Sequence, residues 1–484
     1  MTTPRPRRRL ATAITAGVAA SLLLSSCSGS LADALQIETS AADSASEASQ
    51  TSSFFNSTDV HEVSVEADQE QLDAALDAYA ADGSKEWVEA TVTIDGTVYE
   101  NVGLRLKGNS SLRGTSADSD PTDLPWLIRL DKYVDGQQHA GRADYVVRQN
   151  NTETSLNEAV ALELIGAAGL ETEEAAATRF SVNGAEAQLR LVIDAPDDPL
   201  WNESYFTSEG ITYEAESSGD YSYRGDAAED YAEAFSVKDG EEDMTPLIEF
   251  LDFVNNSSDE DFAAHLEQYL DVDSFATYLA LQDLVGNTDD IDGPGNNSFL
   301  RYDEETGQMT VLTWDMNLSF GTMGGMGGGE RGQFPGGEAG EDGQFPADGE
   351  MPEGFEPLAD GEMPEGFEPP AEGEMPEGFE PPAEGERPAP GDGTGTTPDA
   401  GGAGGPGGGS NPLVERFLAD EGFAELYSEA QERLQSELID SGAAEDIVNS
   451  WSTLLQDEAS DLVEAATVTT EADSILDQLG TSTD

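Results

Sequence analysis

Between Asn287 and Asn317, carboxylates and amides cluster at both ends of what the residue alternation marks as a β-hairpin. An acid- and amide-rich loop from Asn287 to Asn297 offers Asp289 and Asp292 as acids and Asn297 as an amide ligand. Strands near Ser298–Tyr302 and Met309–Trp314 flank a turn at Glu304–Gly307. Asp315 follows at once, with Asn317 two residues on. These are hard oxygen donors of the kind Mg²⁺ takes in ones and twos while leaving room for phosphate oxygens. A loop carboxylate can also accept a hydroxyl proton or orient the group that carries it. The plainer reading is that these Asp and Asn residues cap helices and shape turns. The hairpin set between two acidic clusters argues for more than that.

Loop, hairpin and second acid is the order found in protein-kinase sites, where a catalytic loop supplies an Asp base and an Asn ligand and a later Asp holds Mg²⁺. On that arrangement the candidates are Asp289 or Asp292 as the catalytic acid, with Asn297, Asp315 and Asn317 toward the metal. Neither an HRD nor a DFG string is present. A polyphosphate also needs fixed positive charge beside it. Lysine is scarce: Lys85, Lys107, Lys132 and Lys238 are all the chain has. Arg105-Leu106-Lys107-Gly108 puts two cations on one strand face before a glycine turn, and Asn109 and Ser110 add donor-rich backbone. Arg105, Lys107, Gly108, Asn109 and Ser110 are therefore the nucleotide-binding candidates, against the plain alternative of a solvated strand face. The string lacks the spacing and GK[ST] of a P-loop.

Other chemistries lack their parts. Only His61, His139 and His265 exist, and neither a G-x-S-x-G elbow nor H-E-x-x-H occurs. Asp289, Asp290 and Asp292 before Gly293 miss the register and terminal Glu of an EF-hand. The formal charge of −78, from 21 basic and 99 acidic residues, excludes nucleic acid as a natural partner. The stretch 322–410 holds 20 acids and two arginines, so about −60 stays with the rest of the chain.

The elements that must position these residues read as follows. Arg5, Arg7, Arg8 and Arg9, then apolar Leu10–Leu24, then Leu24-Ser25-Ser26-Cys27, make a bacterial lipoprotein signal with Cys27 as the lipidated residue. Residues 28–57 read as a flexible tether, because they offer few large apolar side chains to bury. Cys27 is the sole cysteine, which excludes disulfides within the chain. Asp68–Gly83 has helical spacing, and Trp87–Ile94 alternates into an Asp95-Gly96 turn. The return strand is expected to place Val98, Val102, Leu104 and Leu106 on one face. A strand at Pro125–Leu130, a helix at Leu156–Gly169, a hairpin at Thr178–Ile193 and a strand at Ile211–Glu216 follow. From Thr245 the pattern is helical: Pro246–Val254, Asp259–Tyr269 and Val272–Val285. A sheet-rich half before a helix-rich half gives an α+β fold. Residues 322–410 form a Gly/Pro/Glu-rich insert with three twelve-residue repeats from Gly349 to Glu384, and their composition predicts disorder. Helices are expected again at Pro412–Leu418, Phe423–Leu438 and Ala443–Ala466, packing on the body formed by 58–321.

Three blocks, taken together, resemble one known family. They are Gly103-Leu-Arg-Leu-Lys-Gly-Asn-Ser-Ser111, Asn287-x-Asp289 with Asn296-Asn297-x-Phe-Leu, and Trp314-Asp-Met-Asn-Leu-Ser-Phe-Gly321. They are similar to the spore-coat CotH kinases, over about 58 to 321 and again from Asn411-Pro-Leu. The resemblance implies an atypical protein-kinase-like fold that binds ATP with Mg²⁺ (or Mn²⁺) and phosphorylates protein serines at the cell surface. It implies Asp289 as catalytic acid, Asp315 as metal-binding acid, and Arg105 and Lys107 as the R-x-K-G strand. The chain departs from the family at Asn317, where many members have Asp, and at Asp194, where others have Glu. At Glu214 the family carries a lysine, and a carboxylate there is expected to repel ATP. The expected protein is thus a lipid-anchored kinase acting on an envelope protein, held to the membrane by Cys27. The alternative is a non-catalytic scaffold or pseudokinase that binds a partner protein or divalent cations, separable by whether nucleotide raises the melting temperature.

Overall fold

The computed structural model describes residues 54–287, 289–292, 297–321 and 411–481, apart from the side chain of Ser110. The signal segment with Cys27, most of the tether, the repeat-bearing insert, and Gly293 to Asn296 of the central loop lie outside the described residues.

Seven strands close a barrel: β1 (His61–Ala67), β2 (Val88–Ile94), β3 (Thr97–Leu106), β4 (Trp126–Arg129), β5 (Asp144–Val147), β6 (Ala175–Val182) and β7 (Gln188–Ile193). Around the barrel the order is β1-β2-β3-β4-β5-β7-β6, and β6 returns to β1 as a parallel neighbour with His61 opposite Thr178. Helix α1 (Gln69–Asp82) links β1 to β2. Asp68 caps its N-terminus by accepting from the Gln71 amide. Asp95 and Gly96 both take positive φ, 46° and 79°, as a type I′ hairpin turn requires. The barrel interior is filled by alternate residues such as Val65, Val92, Leu104, Trp126 and Val147.

Two expectations about this region need correction. Val98 is 57% exposed, not on the buried face with Val102. A register shift between Ala90 and Val92 in the β2–β3 pair, with Asn101 at a φ of 57°, reverses the strand's alternation midway. The ordered body also begins before Thr58. Phe54 and Phe55 are buried, and Phe54 packs edge-on against Tyr145 at 5.4 Å. Two aromatic rings outweigh the polar composition around them.

After the barrel come α2 (Leu156–Ala167, between β5 and β6), α3 (Pro199–Tyr205), and a four-stranded sheet in the order β11-β10-β8-β9. Its strands are β8 (Gly210–Ala215), β9 (Phe235–Asp239), β10 (Ser298–Asp303) and β11 (Met309–Thr313). Helices α4 (Thr245–Asn256), α5 (Asp259–His265) and α6 (Val272–Leu284) lie between β9 and β10. Beyond the insert, α7 (Pro412–Ala419), α8 (Glu421–Leu434), α9 (Ala443–Glu458) and α10 (Ala465–Leu479) share one hydrophobic core with α2, α6 and the second sheet. Phe417 meets Phe275 edge-on at 5.0 Å, which ties α7 to α6. The single helix expected over Ala443–Ala466 is two, broken after Glu458, with α10 running on to Leu479. The sheet-then-helix order is that of an α+β fold.

Glu173, ahead of β6, is a buried carboxylate that faces no cation among the described residues. Its Oε2 accepts from the hydroxyls of Thr172 and Thr313, each at 3.2 Å. Burial pushes its carboxyl up to about 8. The native state then holds the proton more tightly than the unfolded chain, so stability falls as pH rises from the ordinary Glu range to about 8. Glu173→Gln should remove that loss. Melting scans at pH 5.5 and 8.5 should show the variant gaining roughly 2–4 °C on wild type at the higher pH, and little at the lower.

Candidate functional site

A cleft of about 740 Å³ is bounded by the barrel's β3 and β5 ends on one side and by the second sheet and residues Trp314–Asn317 on the other. Six of the chain's 21 basic residues line it: Lys85, Arg105, Lys107, Arg113, Arg148 and Lys238. Four carboxylates line it as well, Glu214, Glu216, Asp289 and Asp315. A cleft with more cations than anions, in a chain of net charge −78, has the charge that suits a polyanion.

The cationic strand sits where β3 runs out. Lys107 Nζ lies 3.3 Å from Asp197 Oδ2 and 3.9 Å from Glu214 Oε1, over the face of Trp314 at 5.1 Å. Burial alone would lower its ammonium, but the Asp197 and Glu214 charges more than offset that and hold it above the usual lysine range. Asp197 is itself pushed up by burial and pulled further down by Lys107, Arg129 and Lys238, so both members stay ionised. Arg105 stacks on Trp87 at 4.5 Å, and Lys85 donates to the Gly108 carbonyl at 2.5 Å. Gly108 has a φ of 107°, and a Cβ there would collide with the Ser111 hydroxyl. Asn109 also lines the cleft, and the side chain of Ser110 lies outside the described residues.

Across the cleft, the central loop is held from behind. Asn287 donates to Gln282 Oε1 at 2.9 Å and to the Met316 sulfur at 3.5 Å, while its own Oδ1 accepts from the Asp289 amide at 3.2 Å. Asn297 donates Nδ2 to the Asp289 carbonyl at 2.5 Å, so its amide oxygen is the atom left for a cation. Burial raises the Asp289 carboxyl, the Asp315 charge raises it further, and Asn297 works against both. A carboxyl raised in this way is a stronger proton acceptor than a free one. Asp292, the alternative acid, is exposed and is not among the residues that line the cleft.

Asp315 leaves β11 in the left-handed region, at a φ of 63°. Its carboxylate bonds Arg148, whose Nε lies 2.9 Å from Glu158 on α2. Arg148 is desolvated, yet Glu158 and Asp315 raise its guanidinium above its ordinary value. The carbonyl of Asn317 accepts from Asn157 at 2.6 Å, which fixes the turn that follows. Asp315, Asn297 and Asn317 are hard donors that suit Mg²⁺ or Mn²⁺. Among the described residues no three His, Cys, Asp or Glu side chains gather as a metal cage. A cation bound here would complete its shell with water or phosphate oxygens.

Arg148, Glu158, Asp197 and Lys238 escape a reading of the sequence. Arg148 follows a strand of only four residues, and Glu158 is hidden in a helix apolar all round. Lysine scarcity was the one signal that could have found Lys238. Glu214 does not stand bare against a nucleotide, because Lys238 contacts its Oε2 while Lys107 faces its Oε1. Asp194, the other departure, is fully buried at 2.7 Å from Arg142 Nε and takes no part in the cleft.

Removing Arg148 would leave Glu158 charged and unpaired in a buried place. Arg148→Met should cost about 3–5 kcal/mol in urea unfolding, and adding Glu158→Gln should recover more than half of it. Equal stability of the single and double variants would contradict the pairing.

A search among curated proteins finds no match. The family model described as CotH kinase protein matches residues 104–360, a span that takes in Arg105, Lys107, Asp289, Asn297 and Asp315. That match covers more than half of the 484 residues, and the chain belongs to the CotH kinase family.

Proposed function

We propose that this chain is an active kinase of that family, transferring the γ-phosphoryl group of ATP to a serine or threonine hydroxyl of an envelope protein. The observation that carries the reading is the concentration of scarce cations opposite Asp289 and Asp315 in one cleft. Family membership itself implies ATP and a divalent cation in general terms.

Lys107 and Arg105 hold phosphate charge on the barrel side. Burial beside Asp197 fixes the Lys107 ammonium before ligand arrives, so little ordering remains to be done. Asp315 and Asn297 would hold Mg²⁺, which when bound would supply positive charge beside the phosphate oxygens. Asp289 faces the acceptor, takes the hydroxyl proton or fixes its direction, and depends on Asn287 and Asn297 for its own position. Arg148 keeps Asp315 in its unusual backbone conformation and adds a cation to the same wall. The pairing of Glu214 with two lysines favours this reading over a pseudokinase. The lipoprotein-type signal ending at Cys27 supports export and anchoring at the outer face of the cell membrane.

Two measurements test these statements. With γ-labelled ATP and Mg²⁺ or Mn²⁺, the purified chain should incorporate label into itself or an added protein, and Asp289→Ala and Asp315→Ala should each lower the rate by about 100-fold or more. Incorporation at wild-type rates by both variants would refute the roles. For the anchor, Cys27→Ser should move the protein from the membrane fraction to the soluble one and abolish labelling by a fatty-acid probe. Unchanged partition would refute lipidation at that residue.

A further inference from the structure

Lys238 lies on β9, the edge strand of the second sheet. In the β8–β9 pairing Thr212 faces Asp239 and Tyr213 faces Val237, so Lys238 is the extra residue of a bulge. Glu214 faces Ser236 across this pair, and Lys238, two residues on from Ser236, lies on the same face of the sheet as both. Its side chain lines the cleft, where its Nζ meets Glu214 Oε2 and lies 3.4 Å from Glu216 Oε1. The other oxygen of Glu214 is 3.9 Å from Lys107 Nζ. One carboxylate thus spans two ammoniums that come from opposite walls, one from the barrel and one from the second sheet.

Two ammoniums converging on a single anionic group is also the arrangement that a phosphate takes. The geometry points to Lys238 as a direct ligand of the nucleotide's phosphates, with Glu214 as the positioning carboxylate that gathers Lys107 and Lys238 at one point. This assignment rests on the kinase reading above and extends it to a residue on a different strand. A mobile lysine loses rotamer freedom on binding, and a carboxylate that has already gathered it reduces that cost. The simpler account, that Lys238 does nothing but neutralise Glu214, makes a different forecast. It requires the loss of Lys238 to be harmless once Glu214 is uncharged.

The test is calorimetric titration of the full chain with ATP and with adenosine, each with Mg²⁺. Lys238→Met keeps the aliphatic stem, and its melting temperature without ligand reports that it folds. It should bind ATP about tenfold more weakly and adenosine as wild type does. The double variant Lys238→Met with Glu214→Gln should stay weak, while exchanging the pair (Glu214→Lys with Lys238→Glu) should bind ATP more tightly than Lys238→Met. Lys132→Met, an exposed lysine against Trp87 and outside the cleft, should leave ATP binding unchanged and so exclude a general charge effect. Wild-type ATP affinity in Lys238→Met, or its full return in the double variant, would overturn the assignment alone. Wild type that binds no ATP would overturn the kinase reading and this one with it.

Discussion

The site depends on a cation taken out of water. Arg148 leaves the end of β5, meets Glu158 on α2 and bonds Asp315 just after β11. A buried guanidinium is tolerated only where fixed anions surround it, so three elements distant in sequence must come together for any one to be stable there. The barrel, the helix lying on it and the hairpin of the second sheet are thereby referred to one point. The same bond holds Asp315 in a backbone region that a non-glycine residue rarely occupies. Trp314, one residue earlier, lies beneath both Lys107 and Arg148, at 5.1 and 5.9 Å, so its ring serves the two walls at once.

Three other arginines also tie the fold together from within. Arg190 has no carboxylate partner among the described residues and instead donates to the carbonyls of Arg148, Thr122 and Leu124, at 2.9 to 3.1 Å. Burial pulls its guanidinium down to about 10, with the nearby Asp123 charge working against that. It ties the loop before Trp126 to the backbone that carries Arg148. Arg129 closes on Asp144 and Arg142 on Asp194, both inside the fold. Asp144 and Asp194 are pushed up by burial to about 7 and pulled back by these arginines. A chain poor in cations thus places several of them inside as pins and six in the cleft.

Much of this was legible in order along the chain. The hairpin, the acid after it, the Arg105–Lys107 strand and nearly every long helix follow from period and turn chemistry, which are local properties. The residues that escaped are those whose meaning is a partner far away. Glu158 looks like a blemish in an apolar helix until Arg148 is opposite it. Glu214 reads as a repulsive charge until the next strand brings Lys238 to it. The buried face of β3 was misjudged for a related reason, since a bulge shifts alternation without leaving a clear mark in composition. The α+β class was secure because it needs only the order of patterns.

The parallel seam between β1 and β6 also governs how the molecule is made. On emergence, β1 finds β2 at once, since a short helix joins them. Its other edge has no mate until Thr178 to Val182 have been synthesised. Closure therefore waits on a loop of more than a hundred residues, and long-range pairings of that kind are slow to nucleate. Until then the half-made sheet has an open hydrogen-bonding edge, the surface most prone to pairing with a neighbouring chain. The abundant negative charge gives such half-made molecules mutual repulsion while the seam is still unformed.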